Sequence, residues 1–219
     1  MQKIRRMFDT SIWTTDLVLF AAVLFLSRFG QGLLGGARMN FFIETLGLTE
    51  DRVLWLEGIR ELPGLGLIFV AALTMRLHLP RQASLALALM GVGYGLYAFV
   101  GSYTALLAAV IIASFGFHMW TPLHSAIGLS LSTKETAGRV LGSLAAVGSL
   151  AGIAGMGALS LISVAFETMP LTNYYIAGGS FIVLAALLLL RLPREIGATE
   201  TEPPRILVKG RYWRYYVLI

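Results

Sequence analysis

Hydrophobic residues along the chain occur in long blocks, separated by short segments that carry proline, glycine or charge. A transmembrane helix needs roughly 20 apolar residues to cross about 30 Å of hydrocarbon. The blocks of about this length lie at residues 16–38, 53–75, 83–101, 104–130, 140–166 and 172–191. This pattern predicts an all-α membrane protein, a bundle of six transmembrane helices with short connections.

The composition supports a membrane protein and excludes several other classes. Hydrophobic residues make up 57% of the 219 residues and charged residues only 13%, whereas soluble domains carry about 25% charged residues. The net charge of +5 is spread over the predicted loops and forms no single patch, so we expect no nucleic-acid partner. The chain has no cysteine, which excludes disulfides, thiolate metal sites and cysteine nucleophiles.

The positions of Lys and Arg predict how the bundle is oriented. With a cytoplasmic N-terminus, most of the 17 basic residues fall in cytoplasmic segments, while the predicted outer loops near 101–103 and 166–171 contain none. We therefore expect both termini to be cytoplasmic, in a plasma (inner) membrane.

The end of the chain differs in composition from the six apolar blocks. Residues 1–192 are predicted to form the transmembrane domain, and residues 193–211 a polar cytoplasmic linker. Residues 212–219 combine basic and aromatic residues with a few apolar ones, which is typical of the start of a further transmembrane helix. We expect a truncated seventh helix here; an amphipathic tail lying on the membrane is the alternative.

Polar residues of predicted helix 1 share one face. Arg28, Gln31, Gly35 and Arg38 are spaced at i, i+3, i+7 and i+10, which places them on one helical stripe. A charge near the bilayer centre costs about 2.5–3.5 kcal/mol, so such residues face protein or a water-filled cavity. We expect Arg28 to face a cavity near the midplane; a hydrogen bond to neighbouring carbonyls is the structural alternative.

Predicted helix 2 carries Glu57, Arg60 and Glu61 at i, i+3 and i+4, a spacing at which side chains meet. One interpretation is a self-contained ion cluster. The other is an outer gate in which Arg38 competes for one carboxylate, with a carboxylate that titrates in a proton-coupled carrier. Pro63 and Gly64 follow, and they predict a break or bend in the helix.

Predicted helix 4 contains His118, Trp120, Pro122 and His124. Trp120 is placed either against a substrate or in a core- or lipid-facing position. The two histidines are six residues apart and cannot share one narrow face, so we expect no metal site. The candidate residues of the substrate and coupling cavity are Arg28, Gln31, Arg38, Glu57, Arg60, Glu61, His118 and Trp120.

Small residues recur along predicted helix 5. Gly148 and Gly152 form a small-xxx-small pattern that lets two helix backbones approach closely. We expect Gly142, Gly148 and Gly152 to serve helix packing, with sliding during transport as the functional alternative.

The connection before helix 5 is similar to a known motif. Glu135, Gly138, Arg139 and Gly142 follow the order Glu-x-x-Gly-Arg-x-x-Gly, which resembles the segment that enters the fifth helix of major facilitator superfamily transporters. In the connection between helices 2 and 3, Arg76 and Arg81 stand at basic positions of that family's loop motif, whose acidic residue and glycine are absent here. The Gly-Pro pair of the family's antiporter motif is also absent, so antiport is not expected.

This resemblance implies a fold and a function. It implies an N-terminal half built from two three-helix repeats, with a cavity lined by helices 1, 2, 4 and 5 while helices 3 and 6 lie outside. It also implies a secondary active transporter that needs no cofactor, moves a small solute by alternating access, and is completed by a C-terminal six-helix half. The basic residues favour an anionic or zwitterionic solute, and proton coupling stays an open option.

Two other functions compete with transport. An intramembrane serine protease would need a Gly-x-Ser-Gly motif, whereas Gly128-Leu129-Ser130-Leu131 lacks the second glycine. A six-helix channel or accessory subunit is the third possibility, and a continuation of the reading frame by six more helices would favour the transporter over it.

Overall fold

The structure, a computed structural model, describes residues 12–67, 73–74, 77–166 and 169–198. Within these ranges the regular structure is helical, and six long helices follow one another along the chain. Helix α1 continues into a π-helical turn and α3 into a 3₁₀ turn. The bounds are α1 Thr15–Asn40 with Phe41–Thr45, α2 Glu50–Leu65, α3 Leu79–Leu96 with Tyr97–Phe99, α4 Tyr103–Ser130, α5 Ala137–Ala165 and α6 Leu171–Leu189.

Among the described residues, five helices are long and apolar enough to cross a membrane by length and composition. They match the expectation of an all-α integral membrane protein. Helix α2 has 16 described residues, about 24 Å at 1.5 Å per residue, and much of the rest of the predicted span 53–75 lies outside the described residues. The five spans are Thr15–Thr45, Leu79–Phe99, Tyr103–Ser130, Ala137–Ala165 and Leu171–Leu189.

Local signals explain where several helices begin and turn. The hydroxyls of Thr14 and Ser102 accept hydrogen bonds from backbone N–H groups in the first turns of α1 and α4, both at 3.2 Å, which satisfies donors that a helix leaves unpaired at its start. Pro80 lies in the first turn of α3, where its missing N–H is not needed. Gly47 has a φ of 61° in the α1–α2 connection, a left-handed conformation that favours glycine.

The helices pack in a defined set of pairs. Helix α1 packs against α5 and α6, α3 packs against α4 and α6, and α2 packs against α4. At the basic end of the bundle, Gly197 after α6 approaches the side chain of Leu79 at the start of α3. At the opposite end, the Tyr103 hydroxyl donates a hydrogen bond to the Arg52 carbonyl oxygen at 3.1 Å.

Glycines allow the closest contacts between helices, but not every glycine that was expected to serve helix packing makes such a contact. A Cβ atom at Gly32 of α1 would collide with the Gly152 carbonyl oxygen of α5, and one at Gly155 would collide with the Phe29 carbonyl oxygen of α1. Gly32 and Gly155 therefore permit the close approach of α1 and α5. The glycines selected from the sequence are less closely packed: a Cβ at Gly152 would lie 4.0 Å from the Arg28 carbonyl oxygen, one at Gly148 would lie 3.4 Å from Arg28 Cγ, and one at Gly142 would meet no atom within 4 Å.

Helix α5 is much less buried than the other spanning helices. Only 11% of its most apolar 18-residue stretch is buried, against 39–50% for the other four spans. It contacts α1 closely and α4 less extensively, which leaves a broad apolar face uncovered. The exposed large side chains on α5 are Leu150, Ile153, Met156, Leu161 and Val164.

Candidate functional site

Five ionisable residues from three helices form one connected charge cluster: Arg38, Glu57, Arg60, Glu61 and His118. Both arginines contact the Glu57 carboxylate, Arg38 at 3.4 Å and Arg60 at 2.8 Å. Arg60 also contacts Glu61 at 2.9 Å, and His118 Nε2 lies 3.5 Å from the Glu61 carboxylate, within ion-pair range but without a hydrogen bond. The cluster thus joins α1 to α2 and α2 to α4.

Both interpretations of helix 2 correspond to contacts in this cluster. The contacts of Arg60 with Glu57 and Glu61 are those of a self-contained ion cluster, while the contact of Arg38 with Glu57 is the one a gate would require. Glu57 and both arginines are each between 26% and 36% exposed. Water therefore reaches the cluster and weakens each ion pair relative to a fully buried one.

A glycine and a backbone hydrogen bond of α2 hold the charge cluster close to α4. It runs through Pro63 and ends two residues later, at Leu65, so the expected interruption lies just beyond the proline. A Cβ atom at Gly64 would approach the His118 ring to 3.1 Å; glycine lets that ring lie flat against α2. The Ser114 hydroxyl of α4 donates a hydrogen bond to the Arg60 carbonyl oxygen, which ties the two helices together.

The larger of two polar cavities, the Arg28 cavity, lies between α1, α4 and α5 and has a volume of about 630 Å³. Arg28 donates to the Gln31 side-chain oxygen at 3.5 Å, and its stem lies over Gly148, where a Cβ would be 3.4 Å from Arg28 Cγ. No acidic residue of the described chain lines this cavity, so it is electropositive. Its polar lining residues are Arg28, Gln31, His124, Ser125 and Ser149.

A smaller cavity of about 220 Å³, the Arg38 cavity, lies on the other side of Gln31 and Gly35, which line both cavities. Residues of α1, α2, α3, α4 and α6 line it. The resemblance implied that helices 3 and 6 lie outside the polar interior, but Tyr94 of α3 and Tyr175 of α6 both line this cavity. The polar lining residues are Gln31, Arg38, Arg60, Tyr94, Ser114 and Tyr175.

Trp120 and His124 of α4 occupy different surroundings. Trp120 is 1% exposed, packs edge-on against Phe20 at 6.3 Å and belongs to the core, so it lines neither cavity. His124, which was not selected from the sequence, does line the Arg28 cavity. Its Nδ1 lies 3.1 Å from the Trp120 carbonyl oxygen, which holds the ring in place. No group of three or more metal-ligating residues occurs among the described residues.

An aromatic cluster, made of Phe41, Phe42, Tyr94, Tyr97 and Tyr175, borders the Arg38 cavity. Tyr175 stacks on Tyr97 with ring centroids 5.1 Å apart and contacts Phe41 at 4.4 Å. Sequence reasoning missed this cluster because its members come from three separate helices. The available signals were the paired aromatics at 41–42 and 174–175 near helix ends.

The loop residues of the family motif lie apart from both cavities. Arg81, Glu135, Gly138 and Arg139 are exposed at the basic end of the bundle, and the Thr133 hydroxyl, by hydrogen bonding to the carboxylate, lowers the pKa of Glu135. Arg76 lies outside the described residues, as do residues 199–219, which include most of the predicted linker and the predicted seventh helix.

No protein-family model matches this chain, and no curated protein matches it either. The case for its function therefore rests on the cavities and the charge cluster.

Proposed function

We propose that the chain is the N-terminal half of a secondary active transporter, which moves a small solute across the plasma (inner) membrane by alternating access with both termini cytoplasmic. The observation that carries this proposal is the Arg28 cavity of about 630 Å³. Its volume falls within the roughly 300–1,000 Å³ of small-molecule sites, and it lies between helices that are otherwise apolar.

The lining of the Arg28 cavity favours an anionic or zwitterionic solute. Arg28 contacts one neutral side chain, Gln31, and no carboxylate of the described chain balances its charge there. Such a charge is costly within hydrocarbon, and a functional role is the default expectation for it. A solute carboxylate would supply the missing counter-charge through a charge-assisted hydrogen bond.

The pairing of helices supports an architecture of two three-helix repeats. Exchanging α1 with α4, α2 with α5 and α3 with α6 turns the α1–α5 pair into α4–α2 and the α1–α6 pair into α4–α3. The α3–α6 pair maps onto itself. Repeats of this kind, with the binding site between them, are a common plan of secondary transporters.

The uncovered face of α5 supports a second bundle as the partner. Cavity-lining residues Gly148, Ser149 and Gly152 and exposed apolar residues such as Ile153 and Met156 lie on the same helix. A C-terminal six-helix half packed beside α5 would cover both and complete the walls of the Arg28 cavity. A channel or accessory subunit that docks against another bundle is the second candidate, favoured by the same exposed face.

The charge cluster supports a gating role with proton coupling as one mechanism. Arg38 of α1 and Arg60 of α2 share the single carboxylate of Glu57, so separating α1 from α2 would leave Glu57 with Arg60. Glu61, shared between Arg60 and His118, is the group whose protonation would loosen α2 from α4.

Uptake measurements on the protein expressed from its complete reading frame test this proposal. Cells would be given radiolabelled small carboxylates, amino acids and amines, and the compound taken up above empty-vector cells would be used. We expect Arg28→Ala and Glu61→Gln to abolish uptake at unchanged membrane expression, because one removes the solute's counter-charge and the other the carboxylate between Arg60 and His118. Glu44→Gln, an exposed change in the connection after α1, is the control. Unchanged uptake in both the Arg28 and the Glu61 variants would contradict the proposal.

A further inference from the structure

The Arg38 cavity carries features that the transport proposal does not use. It is enclosed by five helices and smaller than the Arg28 cavity, about 220 against 630 Å³. Sites for drug-sized ligands usually measure roughly 300–1,000 Å³, so only a small molecule fits the Arg38 cavity.

Two buried polar groups at this cavity lack partners among the described residues. Tyr175 is 1% exposed, lines the cavity, and its hydroxyl has no hydrogen-bond partner. The Gln31 amide nitrogen is likewise buried without a partner, since the Gln31 oxygen is turned toward Arg28. A buried polar group left unpaired costs about 1–3 kcal/mol, and such groups are rare in native proteins.

The unpaired groups and the cationic groups here are hydrogen-bond donors. Of the five N–H donors of an arginine, Arg38 uses one terminal nitrogen in its contact with Glu57. Arg38 and Tyr175 line the same cavity. Ser114, the other hydroxyl beside them, already donates to the Arg60 carbonyl oxygen. A ligand that brings acceptors can pair with all three groups at once, since the amide nitrogen and the guanidinium only donate and the phenol can donate. Beside a cation the strongest acceptor is an anion.

We infer that the Arg38 cavity is a binding site for a small carboxylate, held by Arg38, Gln31 and the Tyr175 hydroxyl. The carboxylate oxygens accept from the guanidinium, the amide nitrogen and the phenol. The stack of Tyr175 on Tyr97 and its tilted contact with Phe41 fix the phenol in position before the ligand arrives. The site stands on its own geometry and does not depend on the transport proposal.

Occupation of this site changes the charge cluster. The Arg38–Glu57 contact is 3.4 Å, longer than the contacts of Arg60 with Glu57 and Glu61 at 2.8 and 2.9 Å. A bound carboxylate competes with Glu57 for Arg38, while Glu57 keeps Arg60. Binding therefore weakens the contact between α1 and α2, and removing the Glu57 charge strengthens binding. Gln31 lines both cavities, which links this site to the Arg28 cavity.

Isothermal titration calorimetry on the purified full-length protein, at constant ionic strength, tests the inference. The probes are acetate and benzoate, each compared with its neutral amide, acetamide and benzamide. We expect at least one carboxylate to bind and its amide not to bind. Tyr175→Phe should weaken carboxylate binding about tenfold or more, since it removes a hydrogen bond to a charged group and leaves the ring stack intact.

Matched variants distinguish binding in the Arg38 cavity from binding elsewhere on the protein. Tyr174→Phe removes a neighbouring hydroxyl that is also buried and unpaired but lies outside the cavity, so its binding should equal that of the parent protein. Glu57→Gln should bind severalfold more tightly. The inference is overturned if neither carboxylate binds, if the amides bind equally well, or if Arg28→Gln abolishes binding while Tyr175→Phe leaves it unchanged.

Discussion

At the scale of single residues, the spacing of charges along one helix predicts only part of what each charge does. The i, i+3 spacing of Glu57 and Arg60 is enough to predict their contact, whereas the contact of Arg60 with Glu61 joins adjacent residues. The contacts of the two carboxylates with Arg38 of α1 and His118 of α4 depend on which helices become neighbours. Glu57 and Glu61 each make one contact within α2 and one with another helix.

We predict that Glu57→Gln lowers the stability of the folded protein. It removes the carboxylate shared by Arg38 and Arg60. For these partly exposed groups we expect a loss of about 1–2 kcal/mol, between the values for exposed and fully buried pairs. Unfolding by increasing SDS in mixed micelles, followed by circular dichroism, measures it. Glu44→Gln, an exposed carboxylate, should cause no comparable loss; equal effects of the two changes would show that the cluster contributes nothing.

At the scale of helices, small residues determine how closely α1 and α5 approach. The two backbones meet at Gly32 and Gly155, where a Cβ atom would collide with the Gly152 and Phe29 carbonyl oxygens. In a bilayer, such close packing replaces the hydrophobic driving force that soluble helices use. The glycine pattern of helix 5 was visible in the sequence, but the glycines that face α1 could be separated from Gly142 only with the partner helix in place.

We predict that Gly155→Ala destabilises the α1–α5 pair. Its methyl group would collide with the Phe29 carbonyl oxygen, and overpacking of this kind costs about 1–3 kcal/mol. The matched change Gly142→Ala adds the same methyl group where no atom lies within 4 Å, so no loss of stability is expected. Thermal unfolding in detergent distinguishes them, and an equal melting temperature for both variants would refute the packing role of Gly155.

At the scale of the whole molecule, the basic residues and the helix connections divide the bundle into two ends. The Arg81 and Arg139 turns lie at one end, and the connection at 101–102 lies at the other. We propose that the basic end faces the cytoplasm, as the positive-inside rule predicts.

Because the chain has no cysteine, single cysteines report this orientation without background. Gly101 and Gly138 are both exposed, and a Cβ at either would meet no atom within 4 Å. We predict that a membrane-impermeant maleimide labels Gly101→Cys in intact cells and labels Gly138→Cys only after permeabilisation. The reverse pattern would invert the proposed topology.

Much of the helical structure follows from the sequence because a membrane imposes a length on every apolar segment. The predicted spans 16–38, 104–130 and 172–191 differ from α1, α4 and α6 by only a few residues. The polar stripe of helix 1 was also visible, since a period of 3.6 residues defines a helix face. Arg28 and Gln31 of that stripe line the Arg28 cavity.

Sequence periodicity identifies which residues share a helix face, but it does not identify the residues of other helices that pack against that face. The tertiary structure decided those contacts. The sequence left Trp120 open between substrate and core, and packing against Phe20 puts it in the core. Tyr175 has no charge to attract notice, yet it brings an unpaired hydroxyl to the Arg38 cavity. By itself, the sequence determined an apolar helical chain with charges on particular faces. Only the packing of six helices decided that those faces enclose two cavities on either side of Gln31.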